Sequence, residues 1–192
     1  LIAIGLIFSG KGFSITDTSK KTASKITTEE PASSVSVRST DYVRGDLTKA
    51  EVVIVEYSDS DCPFCQRFHN TMKDVLRTYG TKVAWVYRYF PLNIHANANN
   101  EAVALECAGS LGGNDKFWEY LDQIIDLTIT PEKSASVLTS TATNIGIDKK
   151  LFEVCLKNPA ITQKVADQSA EAQALGAKGT PYSIAINKAN KQ

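Results

Sequence analysis

Two cysteines separated by two residues, Cys62 and Cys65, are the most chemically informative feature of the sequence. An apolar run typical of a buried strand, residues 52–57, leads into them, and a pattern with helical spacing follows them to Tyr79. The unpaired N–H groups at a helix N-terminus favour the thiolate of Cys62, which is the reactive form of cysteine. The spacing therefore predicts a reactive dithiol, in which Cys65 can close a disulfide with Cys62.

The two residues between the cysteines tune this dithiol. Pro63 suits the first turn of a helix, where its missing N–H would have no partner in any case. Phe64 brings no charge. We therefore expect the helix terminus to supply most of the stabilisation of the thiolate.

A Cys-x-x-Cys pair is also half of a structural zinc site. Cys107 and Cys155 could complete such a site, and His69 lies close behind Cys65. Cys107 and Cys155 are lone residues, however, and zinc sites of this kind usually lie in short loops. We expect neither a metal nor another cofactor.

The composition bounds the class of protein. The chain has 192 residues and 43% hydrophobic content, enough for one domain with a core and an insert. Lys plus Arg number 21, as do Asp plus Glu, so the net charge is zero. A balanced charge argues against binding to nucleic acid.

The N-terminal part of the chain has the layout of an exported protein. Residues 1–13 are mostly apolar, which predicts the remnant of a signal peptide or membrane anchor. Residues 14–40 are about half Ser and Thr, and we interpret them as a flexible linker. The globular domain is expected over residues 41–192.

Within that domain the pattern is α/β with a helical insert. Strand-like runs at residues 52–57 and 82–90 flank the helix that carries the cysteines, which predicts a parallel βαβ unit. Helical patterns then fill about residues 96–176, and a last strand covers residues 182–187. One break in the insert is expected at Gly113, with Asn114 capping the next helix.

Glu56 interrupts the first strand, and its role is open from the residues alone. A lone carboxylate in such a run is often exposed at the end of a strand. Alternatively, it is a partly buried acid behind the cysteines that has a raised pKa and exchanges protons with Cys65.

Together these residues resemble the DsbA-like branch of the thioredoxin superfamily over roughly residues 41–187. The resemblance implies a thioredoxin fold with an inserted helical domain. The segments that carry it are residues 52–57, Cys62-Pro63-Phe64-Cys65 with Phe68-His69, Phe90-Pro91-Leu92 with His95, Glu106-Cys107-Ala108, Phe117-Trp118 and Gly179-Thr180-Pro181.

The resemblance also implies roles for particular residues. Cys62 is the expected nucleophile and Cys65 the resolving thiol. Pro181 is the expected cis-proline beside the disulfide, and Thr180 is expected to offer backbone hydrogen bonds to a substrate. Glu56 stands at the position of the buried acid of this family.

We therefore expect thiol–disulfide exchange on the cysteines of unfolded or reduced proteins, with a membrane redox partner that reoxidises the dithiol. Family members of this kind usually work in the periplasm or at the outer face of the cytoplasmic membrane. The alternative is a thioredoxin-fold adaptor that binds peptides and holds a structural zinc or disulfide at Cys62 and Cys65. Family members continue with a further strand and helix past Asn187, so we expect this chain to be a fragment or to lack both.

Cys107 and Cys155 are predicted to form a structural disulfide within the helical insert. Each lies on an apolar stripe of its predicted helix, and an exported chain tends to pair an even number of cysteines. The alternative is two separate buried thiols, since cysteine behaves as a small hydrophobic residue.

Overall fold

Four strands form one mixed β-sheet within the residues that the computed structural model describes, which are 35–127 and 135–189. In chain order they are β1 (Tyr42–Arg44), β2 (Val52–Ser58), β3 (Val83–Tyr89) and β4 (Tyr182–Asn187). Their order across the sheet is β1–β3–β2–β4. Strands β2 and β3 are parallel, whereas β1 and β4 run antiparallel to their neighbours.

Helix α1 (Pro63–Tyr79) connects β2 to β3, so the predicted parallel strand–helix–strand unit is present. A short 3-10 turn (Gly80–Lys82) separates α1 from β3. Every residue of β3 is buried, as a continuous apolar run predicts for a strand covered on both faces. Because α1 starts soon after β2 ends, the two cysteines lie at the carboxyl end of the central strand.

The described part of the insertion between β3 and β4 contains four helices. They are α2 (Ala98–Ile125), α3 (Ala135–Asn144), α4 (Lys149–Cys155) and α5 (Pro159–Ala174). The observed architecture is the predicted α/β frame with an inserted helical block. Asp148 and Asn158 immediately precede α4 and α5. Their side chains each accept a hydrogen bond from a backbone N–H in the first turn of the helix, as N-cap residues do.

Helix α2 bends at Gly113, whose backbone (φ 78°, ψ −171°) is not helical. Such a conformation is essentially restricted to glycine. The prediction that Asn114 caps a new helix here is wrong. Its side chain instead accepts a hydrogen bond from the Val43 amide of β1 at 2.7 Å. This hydrogen bond, next to the bend, attaches the insertion to the edge strand β1.

Side chains of β3 alternate between two hydrophobic cores, because successive residues of a strand point to opposite faces. Trp85, Tyr87 and Tyr89 belong to the core that contains the helical insertion. Phe117 and Trp118 of α2 pack against these rings, with centroids of Tyr87 and Phe117 5.5 Å apart. The second core, on the other face, is smaller and includes aliphatic residues of β2.

Residues 35–40 pack against the domain, so the predicted boundary between linker and domain at residue 41 is too late. The Ser36 carbonyl accepts a hydrogen bond from the buried Arg88 guanidinium at 2.6 Å. Arg88 also pairs with the carboxylate of Asp41 at 2.8 Å. The sequence could not indicate this because the partners are some fifty positions apart. The predicted anchor remnant (residues 1–13) and the rest of the predicted linker lie outside the described residues.

Candidate active site

Cys62 is the N-cap residue of α1, with an extended backbone (φ −90°, ψ 123°), and Pro63 occupies the first turn as predicted. The Cys62 side chain makes no capping hydrogen bond, so its sulfur is not engaged by the first turn of the helix. The terminus of a helix presents N–H groups without intrahelical partners. The Cys62 side chain is nearly buried, with 3% of the residue exposed.

Cys65 lies one turn further along α1 and is fully buried. Both cysteines are free thiols in this structure. Burial raises the pKa of Cys65 to about 12, and the nearby Glu56 carboxylate adds to the shift. The amide of Asp59 acts in the opposite direction by donating a hydrogen bond to the Cys65 sulfur at 3.4 Å. Cys65 is thus a poor nucleophile until its proton is removed.

Phe64 lies between the two buried cysteines but is itself exposed, with 61% of the residue accessible. The guanidinium of Arg67 lies over its ring, 4.6 Å from the centroid, in a cation–π contact. A positive charge therefore lies over Phe64, which itself carries none. The sequence analysis did not identify Arg67, because the contact depends on the two side chains meeting one turn apart on an exposed face.

The loop before β4 reaches the dithiol. Its Thr180–Pro181 peptide bond is cis. The Thr180 carbonyl accepts a hydrogen bond from the Cys62 thiol, with the sulfur 3.6 Å from the oxygen. The structure therefore brings Cys62, Thr180 and Pro181 together, although 118 positions separate the bonded pair along the chain.

Glu56 is buried rather than exposed at the end of β2, with 1% of the residue accessible. Its carboxylate accepts a hydrogen bond from the Trp85 indole N–H at 2.8 Å. Burial raises the pKa of Glu56 to about 7, even though hydrogen bonding opposes the shift. A carboxyl group with such a pKa can gain or lose a proton near neutral pH, as proton exchange with Cys65 requires.

A buried polar loop, residues 59–61, joins β2 to Cys62, and the sequence analysis assigned it no role. The Ser60 hydroxyl donates a hydrogen bond to the Glu101 carboxylate of α2 at 2.6 Å. The Asp61 carboxylate accepts one from the backbone N–H of Asn97 at 2.8 Å. These contacts attach the loop that precedes the dithiol to the start of α2, the first helix of the insertion.

Both histidines of the chain contact an aspartate, which the sequence alone did not indicate. His95 Nδ1 lies 2.7 Å from Asp59 Oδ2, and His69 Nε2 lies 2.7 Å from Asp122 Oδ1. Although burial acts to raise it, hydrogen bonds from His69 and Arg44 hold the pKa of Asp122 well below its usual range.

Cys107 and Cys155 form a disulfide, with sulfurs 2.09 Å apart and Cα atoms 5.8 Å apart. The bond joins α2 to α4, and neither helix carries the dithiol. Within residues 35–127 and 135–189, no group of three or more His, Cys, Asp or Glu side chains is arranged to hold a metal. In the same part of the chain, no helix combines the length and apolar character needed to cross a membrane.

The sheet, the insertion and the dithiol at the start of α1 are those of a DsbA-type disulfide oxidoreductase, and solved structures of this class superpose on the chain. DsbA2 from Pseudomonas aeruginosa is 25% identical, with a TM-score of 0.66, over 79% of this chain and 83% of that one. BdbD from Bacillus subtilis, in its oxidised form, is 18% identical, with a TM-score of 0.68, over 78% of this chain and 83% of that one. The predicted thioredoxin fold with a helical insertion is thereby confirmed.

The family model described as "Thioredoxin" matches residues 38–191, which is most of the sequence. The chain therefore belongs to the thioredoxin family, and within it to the DsbA-like proteins.

Among curated proteins, a Na(+)/H(+) antiporter NhaA 1 from Mycolicibacterium vanbaalenii is 32% identical over 142 residues. A second, from Mycolicibacterium gilvum, is 30% identical over the same length. In both cases the match covers 73% of this chain but only 22% of the relative, so the chain spans about a fifth of the length of these relatives.

Proposed function

We propose that the chain introduces disulfides into reduced, unfolded proteins outside the cytoplasmic membrane by dithiol–disulfide exchange at Cys62 and Cys65. The observation that carries the proposal is the asymmetric pair itself. Cys62 is the N-cap residue of α1 and contacts the Thr180 carbonyl, while Cys65 lies one turn further along and is fully buried. We assign the attacked sulfur to Cys62, at the helix terminus, and the sulfur that leaves and is retained to Cys65.

The exchange proceeds in two steps from the oxidised form. A substrate thiolate attacks the Cys62 sulfur of the Cys62–Cys65 disulfide, and Cys65 leaves as a thiolate that takes up a proton. Glu56, with its pKa of about 7, is the group behind Cys65 that we assign to this proton transfer. A second substrate thiolate then attacks the substrate sulfur of the mixed disulfide and releases Cys62. The substrate loses two electrons and the dithiol gains them.

The reduced dithiol must then pass two electrons and two protons to an oxidant. We assign this step to a membrane redox partner, in keeping with the apolar residues 1–13. The disulfide between Cys107 and Cys155 supports an oxidising compartment, because such bonds rarely persist in the cytosol. The curated relatives are named as antiporters, and this is consistent with work at a membrane.

The proposal is tested with the full chain, oxidised beforehand and mixed with a reduced, unfolded protein whose native disulfide is known. Wild type should transfer about one disulfide per molecule. Cys62→Ser should reduce the transfer to the uncatalysed rate, because the attacked sulfur is gone. Cys65→Ser should accumulate a mixed disulfide between Cys62 and the substrate. A wild type no faster than Cys62→Ser would refute the enzymatic function and leave the peptide-binding adaptor.

A further inference from the structure

The Asp59 carboxylate, beside the resolving thiol, is fully buried. Its Oδ2 atom accepts hydrogen bonds from His95 Nδ1 at 2.7 Å and from the Leu92 amide at 2.9 Å. Its Oδ1 atom accepts one from the Asp61 amide at 2.9 Å. A buried carboxylate needs such compensation, because removal of a partner leaves an incompletely neutralised charge. His95 is the one side chain in this set, and 18% of its side chain is exposed.

The backbone of the same residue contacts the dithiol. The Asp59 amide donates its hydrogen bond to the Cys65 sulfur, with nitrogen and sulfur 3.4 Å apart. The residue whose amide makes this contact is thus held by the three bonds that its side chain accepts. Two of them come from the segment after β3, on which Leu92 and His95 lie.

We propose that His95 is a positioning residue for the dithiol. By holding the Asp59 carboxylate, it fixes the Asp59 amide against the Cys65 sulfur and stabilises the reduced form of the pair. The inference rests on the proposed function in so far as Cys62 and Cys65 form a redox pair.

The direction of the effect follows from the form in which the contact is seen. The structure holds Cys65 as a free thiol, and the Asp59 amide donates its hydrogen bond to that thiol sulfur. Because burial keeps Cys65 protonated near neutral pH, the contact stabilises the reduced pair as a bond to the neutral thiol. Loss of His95 would displace that amide, and this change disfavours the reduced pair.

The test is the equilibrium of the full chain with reduced and oxidised glutathione, read as the fraction of Cys62–Cys65 that is reduced. His95→Ala removes the donor, and we expect the equilibrium to shift towards the disulfide by about three- to tenfold, the size of one hydrogen bond. His95→Asn keeps an N–H donor near the position of Nδ1, and it should stay within about twofold of wild type. Asn93→Ala is a matched control, since Asn93 is an exposed residue of the same segment.

An equilibrium constant for His95→Ala equal to that of wild type would overturn the inference, as would equal shifts in His95→Ala and His95→Asn. A second measurement needs no change at His95. In reduced wild type, the Asp59 amide hydrogen should exchange with solvent more slowly than in Cys65→Ala, which lacks the sulfur acceptor, and equal exchange would also overturn the inference.

The two proposals fail in different ways. The glutathione equilibrium is a property of the cysteine pair and can be measured whether or not a protein substrate is oxidised. A wild type that equilibrates with glutathione but does not oxidise a protein dithiol refutes the proposed function and leaves the role of His95 intact. An unperturbed His95→Ala in an active enzyme refutes only the role of His95.

Discussion

At the level of single residues, the two thiols are separated by one helical turn but experience opposite environments. Cys62 has the terminus of α1 and the Thr180 carbonyl beside it. Cys65 is fully buried, and burial together with the Glu56 carboxylate disfavours its anion. In the proposed function, attack therefore falls on the first sulfur and retention on the second, and Glu56 is the residue that we propose exchanges the proton of Cys65.

Glu56→Gln should therefore change the pH dependence of stability. The folded-state pKa of Glu56 is raised from 4.5 to about 7, so the folded protein holds this proton more tightly than the unfolded chain does. Wild-type stability from this group is fully present below pH 4.5 and is lost as the pH rises through 7. The loss amounts to about 3 kcal/mol over that window. Glutamine keeps an acceptor for the Trp85 N–H but cannot ionise.

The measurement is urea unfolding of wild type and Glu56→Gln at several pH values across the window, with the Cys62–Cys65 disulfide closed so that neither thiol titrates. The free energy of unfolding of the variant should rise relative to wild type as the pH increases. Parallel pH profiles for the two proteins would show that Glu56 ionises as an ordinary surface carboxyl does.

Several site residues could be predicted from the sequence because their signal is local. The Cys-x-x-Cys spacing, the apolar run before it and Pro63 all lie within a dozen positions. The contact of Asp59 with His95 spans 36 positions and exists only because the loops after β2 and β3 meet at the carboxyl ends of these strands. The spacing of residues along the chain does not predict such a contact, so the sequence identified His95 but not its partner.

At the level of secondary structure, the parallel unit of β2, α1 and β3 followed directly from periodicity, since a buried strand and an amphipathic helix have distinct patterns. The bend of α2 was located at Gly113, but its consequence was not. Asn114 is a residue type that commonly caps helices, but in the folded chain its side-chain oxygen accepts a hydrogen bond from the Val43 amide of β1. A tertiary contact, rather than the local helix, therefore decides the partner of this polar side chain.

The link between α2 and α4 gives the prediction at this scale. In a Cys62→Ser/Cys65→Ser background, only Cys107 and Cys155 can form a disulfide. Its reduction should lower the free energy of unfolding by about 4 kcal/mol, because the bond closes a loop across 48 positions of the unfolded chain. Urea unfolding of the oxidised and reduced forms measures the difference.

The control for this experiment is the same background with Cys107→Ala and Cys155→Ala, which should show no change on addition of reductant. Thiol counting on denatured, unreduced Cys62→Ser/Cys65→Ser protein provides an independent check. Two reactive thiols per chain, in this variant isolated from an oxidising compartment, would show that Cys107 and Cys155 are not bonded and would remove the support that the bond gives to export.

At the level of the whole molecule, the direction of exchange is a question about relative stability. Folding and disulfide formation are linked, so the folded state favours the dithiol over the disulfide only if the reduced protein is harder to unfold than the oxidised one. Among the described residues, the Cys62 thiol donates a hydrogen bond to the Thr180 carbonyl, and the Asp59 amide donates one to the Cys65 sulfur. The first needs the Cys62 S–H and so belongs to the reduced form, and the second is observed here with Cys65 as a free thiol.

We therefore expect the reduced chain to have the higher free energy of unfolding, as an oxidant of other proteins requires. The opposing effect is the restriction of the unfolded chain by a short disulfide loop, which stabilises the oxidised form by about 2 kcal/mol in the chain-entropy model. Urea unfolding before and after mild reduction, with the Cys107–Cys155 bond verified as intact, gives the sign directly. A Cys62→Ala/Cys65→Ala variant should not respond to the same reductant. An oxidised form that is the more stable by about 2 kcal/mol would mean that the free-thiol contacts contribute little, and it would reassign the protein as a reductase that uses the same site.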